Sequence, residues 1–387
     1  MKVAVIAPTP IPARTANSLQ VMKMSQALAS LGHEVRLASP AHHPADTAGH
    51  DWQELARHYG LQQAFAIEWL PANPRFRRYD YAARAISWAR RWQADILYTR
   101  LPQAAALASL LGDRTILETH DLPQGRLGPW IFRLFLKGAG ARRLVVITRS
   151  LAASLEREMG KSMSPPFTII AADGVDLTRY ADLPAAPEAR TRLAALQGRQ
   201  SCFTAGYTGH LYAGRGGELM IELAARHPDI TFLLAGGEPP DITRLQAQAD
   251  ARQLDNVILT GFIPNARLPL YQAACDVLLM PYQKHVAASS GGDIAPYLSP
   301  MKLFEYLACG RAILSSDLPV LREVLNPANA VLLNPEDIDG WADALRTLQN
   351  DPQHGKILGQ QARRDAALYT WEARAGAILA GLEAAHA

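Results

Sequence analysis

The chain has 387 residues, of which 49% are hydrophobic and 19% are charged. This length exceeds what one core normally supports, so two domains of ordinary globular composition are expected. The three cysteines are widely spaced and fit neither a zinc nor a disulfide pattern, which favours a reducing compartment. The opening MKVAVIAPTP is too short and proline-broken for a signal peptide, and no run reaches the ~18–20 apolar residues of a membrane helix. These features predict a soluble, cytoplasmic protein.

The charge is divided unevenly between the two halves of the chain. Residues 1–180 hold 22 Lys and Arg against 14 Asp and Glu, a net charge of +8, which leaves −5 for the remainder of a chain whose net charge is +3. Much of the excess lies in 74–92 and 126–143. In the second segment apolar residues alternate with Arg133, Lys137, Arg142 and Arg143. Such a mixture suits an anionic membrane surface, and it equally suits a packed helix with a basic outer face. No nucleic-acid motif accompanies the charge, so nucleic acid is not an expected partner.

Short β-branched runs alternate with amphipathic stretches in the first half, as in parallel α/β proteins. SLQVMKMSQALASLG (18–32) reads as the first helix, and 182–198, which is polar and contains proline, reads as a linker. The strands predicted before that linker are VAVIAP (3–8), VRLAS (35–39), DILYTR (95–100), TILETH (115–120), RLVVIT (143–148) and FTIIAAD (167–173).

The alternation then restarts, which predicts two consecutive doubly wound domains with ligands at the carboxyl ends of the strands and in the cleft between the domains. Neither half carries GxGxxG after a strand, which argues against a nicotinamide or flavin dehydrogenase. The strands predicted after the linker are CFTAGYTG (202–209), TFLLAGG (231–237), VILTGF (257–262), VLLMPY (277–282), AILSSD (312–317) and AVLLN (330–334).

The segment SPMKLFEYLACG (299–310) is the most informative stretch of the sequence. Ser299 suits a helix N-cap and Pro300 the first helical position. Lys302 in the first turn opposes the helix dipole, which makes sense if an anion lies against the helix N-terminus. Glu305 follows on the same face, within reach of a ribose attached to that anion. An internal Lys302–Glu305 pair on a solvated face is the alternative.

Glycine-rich turns follow two further strands of the second half. The turn after 202–209 carries Gly209 and Gly214, whose small size lets the backbone approach an anion, together with His210 and Arg215 as the polar groups. Backbone groups around Gly261, Phe262 and Ile263 are positioned to read the edge of a nucleobase, although a plain turn explains them equally well.

Two places in the first half present polar groups at the carboxyl end of a predicted strand. His120, between Glu118 and Asp121, could hold a sugar hydroxyl or a phosphate, or be a structural histidine. The loop after the first strand brings Arg14, Thr15 and Asn17 into the first helix, which is a second helix start suited to an anion or a hydroxyl.

Together these motifs resemble the retaining, nucleotide-sugar-dependent glycosyltransferases of family 4, and the resemblance covers nearly the whole chain. It implies the GT-B fold, in which two doubly wound Rossmann-like domains face each other across a cleft. The implied divisions are an acceptor-side domain (1–180), a nucleotide-sugar domain (181–365) and a terminal helix that crosses back to the first domain (366–387). The motifs that carry it are NSLQVMKMSQALASLGHEV, VVITRSLAASL, ADGVDLTRY, GHLYAGRGG, LTGFIP, ACDVLLMPY, SPMKLFEYLACGRAILSS and YTWEARAGAIL.

The resemblance also implies roles for individual residues. Arg215 matches the basic residue on the donor diphosphate, and Glu305 matches the glutamate that holds the donor ribose. His210 stands where the family usually has arginine, and Tyr297 stands where it usually has a first glutamate near the donor sugar; Asp293 is a candidate substitute for that acid.

The remaining positions complete the implied site. His120 matches a histidine near the reacting sugar, and with Arg215 and Lys302 it forms the predicted catalytic group. Ser299, Pro300, Met301 and Lys302 would line the diphosphate. Gly209 and the Gly261–Ile263 segment would complete the donor site. Arg14, Thr15, Asn17 and Asp293 would lie on the acceptor or sugar side.

The expected reaction transfers a sugar from a UDP- or GDP-linked donor, UDP being favoured, to a carbohydrate or lipid-linked acceptor, as in surface polysaccharide or glycolipid synthesis. No metal and no cofactor beyond the donor are expected, and an anionic membrane on its cytoplasmic face is an expected partner surface. Two alternatives stay open: a non-catalytic nucleotide-sugar binder, and another GT-B enzyme such as an epimerase or phosphorylase.

Overall fold

The computed structural model describes residues 1–43, 46, 49–287 and 292–382. The chain forms two compact units, one made of Met1–Asp173 with the residues from Trp371 onward, the other of Gly174–Thr370. None of the helices within the described ranges combines the length and the apolar character that crossing a membrane requires.

The first unit is built on a seven-stranded parallel sheet in the order β3-β2-β1-β4-β5-β6-β7. The order reverses beside β1, which is the point in such sheets where ligands usually bind. The strands are β1 (Lys2–Ile6), β2 (Glu34–Ala41), β3 (Ala66–Pro71), β4 (Ile96–Thr99), β5 (Thr115–Thr119), β6 (Ala141–Val146) and β7 (Thr168–Ile170).

The helices of the first unit alternate with these strands, as right-handed parallel crossovers require. Side chains from the third and fourth helices, among them Tyr81, Ile86 and Ala104, pack with β1 residues such as Ile6 in a closed core. The helices are α1 (Ala16–Ser30), α2 (Trp52–Tyr59), α3 (Tyr79–Arg91), α4 (Pro102–Leu110), α5 (Gly128–Lys137) and α6 (Arg149–Met159).

The second unit repeats the design with a six-stranded sheet in the order β10-β9-β8-β11-β12-β13, paired in parallel throughout. The strands are β8 (Thr204–Thr208), β9 (Thr231–Ala235), β10 (Val257–Gly261), β11 (Val277–Met280), β12 (Ala312–Ser316) and β13 (Val331–Leu333). The helices are α7 (Ala186–Thr191), α8 (Gly217–Arg226), α9 (Pro239–Ala251), α10 (Leu268–Ala273), α11 (Met301–Cys309), α12 (Ile338–Asn350) and α13 (Pro352–Ala366). The last helix, α14 (Trp371–Leu379), belongs to the first unit.

Each strand predicted from the sequence is present, which confirms the doubly wound α/β class. The edge strand β3 was not predicted, because AIEWLP mixes glutamate and proline into a half-exposed run with little β-branched character. The linker assigned to 182–198 is wrong in part. It contains α7, whose Arg190 is buried and pairs with Asp276 through Nη2 and Oδ2 at 2.9 Å.

The boundaries between the units are set by local packing. Residues after Asp173 join the second unit, where Val175 N–H donates to the Tyr369 carbonyl and the buried Tyr180 hydroxyl donates to Gln272 Oε1 at 2.9 Å. The division therefore falls before the expected position at 180. Of the helix expected over 366–387, residues 383–387 lie outside the described residues.

The basic segment 126–143 folds mainly into α5. Its apolar face, including Phe132 and Phe135, is buried, and Arg133 and Lys137 are exposed. The inclusion of Arg143 in an exposed basic surface is wrong. Arg143 is buried and donates to the carbonyls of Ile378 and Ala380, because it anchors the end of α14.

The close contact between β8 and the end of α10 yields a stability prediction. A Cβ at Gly206 would lie 2.0 Å from Cys275 Sγ. We expect Gly206→Ala to lower the free energy of unfolding by about 1–3 kcal/mol through overpacking. Cys275→Ala removes the Sγ atom, so the cost of Gly206→Ala should be smaller in that background. Denaturant unfolding of the four proteins of this cycle measures the difference.

Gly355→Ala in α13 is the matched control. Its Cβ would lie 3.6 Å from the Ala312 Cβ, an ordinary contact, so the substitution should be neutral or slightly stabilising. An equal cost of Gly206→Ala in both backgrounds would contradict the packing argument.

Candidate functional site

The turn after β8 allows a lysine from α11 to approach the backbone. Gly209 has φ +124°, and a Cβ there would lie 2.8 Å from Lys302 Nζ. Gly216, with φ +82°, precedes α8, and a Cβ there would lie 2.2 Å from the Pro281 carbonyl oxygen. Side chains are thus excluded from both places, and the turn lies directly beside the lysine ammonium.

Lys302 is a buried basic residue that forms no ion pair with any residue described by the structure. Only 8% of the residue is exposed, and its Nζ lies 3.5 Å from the centroid of the Tyr207 ring and 5.6 Å from that of Tyr282. This Nζ has no hydrogen-bond partner among the residues that the structure describes. The pKa of Lys302 lies well below its ordinary value, mainly because the side chain is buried and secondly because Arg215 carries a positive charge. The negative charge of Glu305 offsets this lowering of the pKa only in part. A buried, unpartnered donor of this kind is costly unless a ligand accepts from it.

Arg215 supplies a second cation beside Lys302. Its Nη1 lies 3.4 Å from the Tyr282 hydroxyl, its guanidinium lies 5.7 Å from the centroids of both the Tyr212 and Tyr282 rings, and its Nε has no partner within the described ranges. Two cations held among tyrosines, with donors left over, form an arrangement that binds an anion.

The start of α11 differs in detail from the prediction. The helix begins at Met301, Pro300 occupies the cap position, and no side chain caps it. The assignment of Ser299 as N-cap and of Pro300 as first helical residue is therefore wrong by one position. Leu303 N–H donates to the Pro300 carbonyl at 2.9 Å, and no side chain caps the N–H groups of Met301 and Lys302, so these two donors still point toward an anion at the helix start.

Glu305 is held by amides and does not pair with Lys302. Its Oε1 accepts from Asn265 Nδ2 at 3.3 Å and its Oε2 from Gln272 Nε2 at 3.0 Å. Gln272 Nε2 also donates to Thr208 Oγ1 at 3.1 Å. The alternative of an internal Lys302–Glu305 ion pair on a solvated face is wrong, since both residues are buried and the carboxylate is held elsewhere. Sequence reasoning missed Asn265 and Gln272; the signal was a glutamine on the apolar helix LPLYQAAC.

The other predicted donor-side residues lie at several places around this turn. The His210 ring stacks on Tyr212 with centroids 4.8 Å apart, and its Nδ1 lies 4.0 Å from Glu238 Oε1. Gly261, with φ +69°, ends β10, and its backbone forms a bridge with Gly236. Phe262 and Ile263 follow it, both half-buried.

Asp293 and Tyr297 follow β11 in the chain. Asp293 Oδ1 accepts from the N–H groups of Val286 and Ala295, both at 2.9 Å, and its Oδ2 lies 2.8 Å from His285 Nδ1. The carboxylate of Asp293 thus stabilises the loop to which it belongs through these contacts. Tyr297, at the position of the expected glutamate, is buried.

In the first unit, His120 lies on a buried charged cluster at the carboxyl end of β5. Its Nε2 contacts Glu118 Oε1, and 18% of the imidazole side chain is exposed while none of the Glu118 side chain is. Arg374 of α14 reaches the same Oε1 through Nη2 at 2.9 Å, and Gln20 Nε2 of α1 donates to it at 2.7 Å. Nothing in the sequence pattern around Arg374 indicates that this residue takes part in the cluster.

This cluster has the composition of a metal site but not the charge. One ligand atom each from Glu118, His120 and Asp173 lie within 4.8 Å of one another. However, Arg374 and Arg100 lie among them, and the charge of Arg374 acts on both carboxylates. Two guanidinium groups already balance the two acids, so a divalent cation would add uncompensated positive charge.

The predicted residues at the start of α1 have a structural role there. Thr15 is the N-cap and accepts from Ser18 N–H at 3.3 Å. Arg14 is exposed, and Asn17 Oδ1 is buried without a partner in the described part of the chain.

Comparison with known proteins gives consistent matches for both units. Residues 19–179 match the family model described as Glycosyltransferase Family 4, and residues 201–365 match the model described as Glycosyl transferases group 1. Phosphatidyl-myo-inositol mannosyltransferase of Mycolicibacterium smegmatis is 25% identical over 372 residues, 93% of this chain and 87% of that protein. The 2-deoxystreptamine glucosyltransferase of Streptomyces kanamyceticus is 25% identical over 303 residues, 68% of this chain and 74% of that protein.

The fold has close structural counterparts. Alr3699/HepE of Anabaena, solved in complex with UDP-glucose, superposes with a TM-score of 0.74 at 16% identity over 99% of each chain. This likeness confirms the predicted fold.

Because Lys302 Nζ is desolvated and has no hydrogen-bond partner within the described ranges, its charge should lower the free energy of unfolding of the protein. We expect Lys302→Met, which removes the charge and keeps the chain length, to raise the free energy of unfolding at about pH 7 by roughly 1–4 kcal/mol. The folded-state pKa lies below the unfolded value of about 10.4, so the unfolded chain binds more protons and wild-type stability rises with pH toward that value. The advantage of the variant should therefore shrink between about pH 7 and pH 10, as measured by denaturant unfolding.

Lys356→Met, at an exposed position of α13, serves as the control and should show neither effect. A Lys302→Met protein that is less stable than wild type at neutral pH would contradict the uncompensated charge.

Proposed function

Since the chain belongs to glycosyltransferase family 4, we propose that it is a retaining enzyme that moves a sugar from a nucleoside diphosphate sugar to an acceptor hydroxyl. The observation that carries this proposal is the buried ammonium of Lys302, which has unused donors and lies beside Arg215 and the uncapped start of α11. A diphosphate supplies the missing negative charge at that place.

Lys302 and Arg215 also account for catalysis of sugar transfer. Negative charge develops on the β-phosphate as the bond to the sugar breaks, and preorganised donors stabilise that charge most effectively in a desolvated site. Lys302 and Arg215 are already desolvated and fixed among tyrosine rings before the donor binds. We therefore infer a metal-independent reaction in which the leaving phosphate oxygen takes the acceptor proton, so that no protein base is required.

Glu305 is assigned to the ribose of the donor. Its carboxylate is fixed by Asn265 and Gln272, which leaves its remaining lone pairs oriented for a hydroxyl pair. Gly261, Phe262 and Ile263 are assigned to the base, and UDP is the favoured nucleotide; the UDP-glucose complex of the Anabaena protein supports that choice. His120 is assigned to the transferred sugar.

The donor assignment predicts thermal stabilisation by nucleotides. We expect UDP or its sugar conjugates to raise the Tm of the wild type, since a ligand at about a hundred times its Kd adds about 2.7 kcal/mol of stability. Lys302→Met should abolish the shift and Glu305→Gln should weaken it. In a transfer assay with the identified donor, Lys302→Met should lower kcat by roughly 10²–10³-fold, the loss typical of a removed transition-state donor.

The matched control is again Lys356→Met, which should retain the full shift. A folded wild-type protein whose Tm responds to none of UDP, GDP, ADP and their sugar conjugates would overturn the donor site. A shift without release of nucleoside diphosphate in the presence of acceptors would favour the non-catalytic binder, for which the presence of Tyr297 in place of a glutamate is the structural argument.

For the acceptor we propose a carbohydrate or lipid-linked hydroxyl presented at the cytoplasmic face of an anionic membrane. Leu127 and Trp130, at the start of α5, are 59% and 58% exposed, and Arg133 and Lys137 are exposed on the same helix. Exposed aromatic and basic groups on one short helix bind anionic lipid surfaces by combining apolar insertion with charge attraction.

This surface predicts lipid-dependent binding. We expect the full chain to sediment with vesicles containing about one third phosphatidylserine and not with pure phosphatidylcholine. The triple variant Arg133→Gln, Lys137→Gln, Arg142→Gln should reduce binding by at least about tenfold, since each basic group contributes about 1 kcal/mol at such a surface.

Neutralising Arg157, Lys161 and Arg192, which are exposed elsewhere, provides a control of equal charge change. Equal losses in the two triple variants would show that net charge, and not the basic surface formed by α5 and the start of β6, causes binding.

A further inference from the structure

A buried ion pair lies beneath the imidazole of His120, and one of its members comes from the far end of the chain. Glu118 Oε1 receives Arg374 Nη2 at 2.9 Å, Gln20 Nε2 at 2.7 Å and the contact from His120 Nε2. Both charged side chains are almost completely inaccessible, with 3% of Arg374 and none of Glu118 exposed. A carboxylate in such a place needs a cation beside it to stay ionised.

Arg374 is rigidly held by groups other than Glu118. Its Nε donates to the Ala172 carbonyl at 2.9 Å and its Nη2 to the Ala171 carbonyl at 3.2 Å. Its Nη1 lies 3.4 Å from the Tyr98 hydroxyl. The guanidinium therefore links α14 to β4 and to the segment after β7. It does so beside Glu118, near the carboxyl end of β5.

The charge state of Glu118 decides which nitrogen of His120 carries the proton. Burial alone would raise the pKa of Glu118, but the charge of Arg374 and the hydrogen bonds from His120 and Arg374 bring it below its ordinary value. The pKa of His120 is lowered mainly by burial and secondly by the positive charge of Arg100. The imidazole is therefore neutral at neutral pH. A neutral imidazole whose Nε2 faces an ionised carboxylate donates through Nε2–H and leaves Nδ1 as an acceptor.

We propose that Arg374 is a positioning residue, which acts through Glu118 to fix the proton of His120 on Nε2 and to keep Nδ1 free to accept a hydroxyl. The inference rests on the proposed function for the identity of that hydroxyl, which would belong to the sugar or the acceptor. Arg374 itself touches no reacting atom; it sets the state of the histidine that would.

Two further charged groups act on the imidazole of His120. Arg100, which follows β4, opposes protonation of the imidazole, and Asp173, which follows β7, favours it, as does Glu118. Burial raises the pKa of Asp173, and the positive charges of His120, Arg374 and Arg100 oppose that rise. Removing Arg374 therefore leaves two acids and one guanidinium around the imidazole, and the imidazole should then take up a proton at higher pH.

The test compares two charge-removing variants whose effects should have opposite signs. In the full-length protein with isotope-labelled histidine, NMR titration should place the His120 midpoint below the ordinary value of about 6.5. Arg374→Gln should move the midpoint upward by about one pH unit, because Glu118 then lacks its guanidinium partner and a protonated His120 becomes the neighbouring cation. Glu118→Gln should move it downward, because the negative partner is lost. The ¹⁵N shifts should show the proton on Nε2 in the wild type, and His120→Gln assigns the signal.

Arg374→Lys is the conservative variant and should leave the midpoint within a few tenths of a pH unit of the wild type. A purely structural arginine would lower Tm in Arg374→Gln without moving the midpoint, and this result would overturn the proposal. If Arg374→Gln does not fold, Glu118→Gln and Arg374→Lys still decide the question. A His120 midpoint in Glu118→Gln that lies at or above the wild-type value would contradict the proposal.

The titration requires neither donor nor turnover. A failure of the nucleotide assignments would leave these midpoints unchanged, so the two proposals fail separately. If transfer is observed, the acid limb of the kcat/KM profile should move upward in Arg374→Gln by the same amount as the midpoint.

Discussion

The ammonium of Lys302 lies against the Tyr207 ring and next to a glycine turn, and it has no hydrogen-bond partner in the described part of the chain. Several neighbouring residues of the second unit accommodate this energetically unfavourable buried charge. Gly209 must lack a side chain for the lysine to fit, and the tyrosines partly compensate the charge through their ring faces. The amides of Asn265 and Gln272 hold Glu305 away from the ammonium, although a direct pair would have been the simplest neutralisation.

The two units treat buried charge in opposite ways. In the second unit Lys302 Nζ and Arg215 Nε have no hydrogen-bond partner among the described residues, which suits the anion-binding role proposed for them. In the first unit Glu118 is paired with Arg374, and the charges of Arg374 and Arg100 both act on Asp173. The same cost of desolvation is thus offset by an ion pair in one unit and is left for a ligand to offset in the proposed donor site of the other.

Much of this could be predicted from the sequence, and the failures have physical causes. Strand positions were predictable because buried parallel strands are continuous apolar runs, and Lys302 and Glu305 stood out because a lysine in a first turn opposes the helix dipole. The partners of Glu305 were not predictable, since Gln272 of α10 and Asn265 of the turn before it are brought to Glu305 only by tertiary packing. The role of Arg374 was still less predictable, because its partner Glu118 lies far away in the sequence.

The histidine at position 210 is consistent with the same electrostatic argument. An arginine there would place a third permanent cation near Lys302 and Arg215 in a desolvated turn, and an arginine cannot release its proton. A histidine, unlike an arginine, does not carry a permanent charge. Its ring is held by stacking on Tyr212 and lies near the carboxylate of Glu238. If Lys302 and Arg215 bind the donor diphosphate as proposed, His210 therefore keeps a polar ring at this position without adding a third permanent cation beside them.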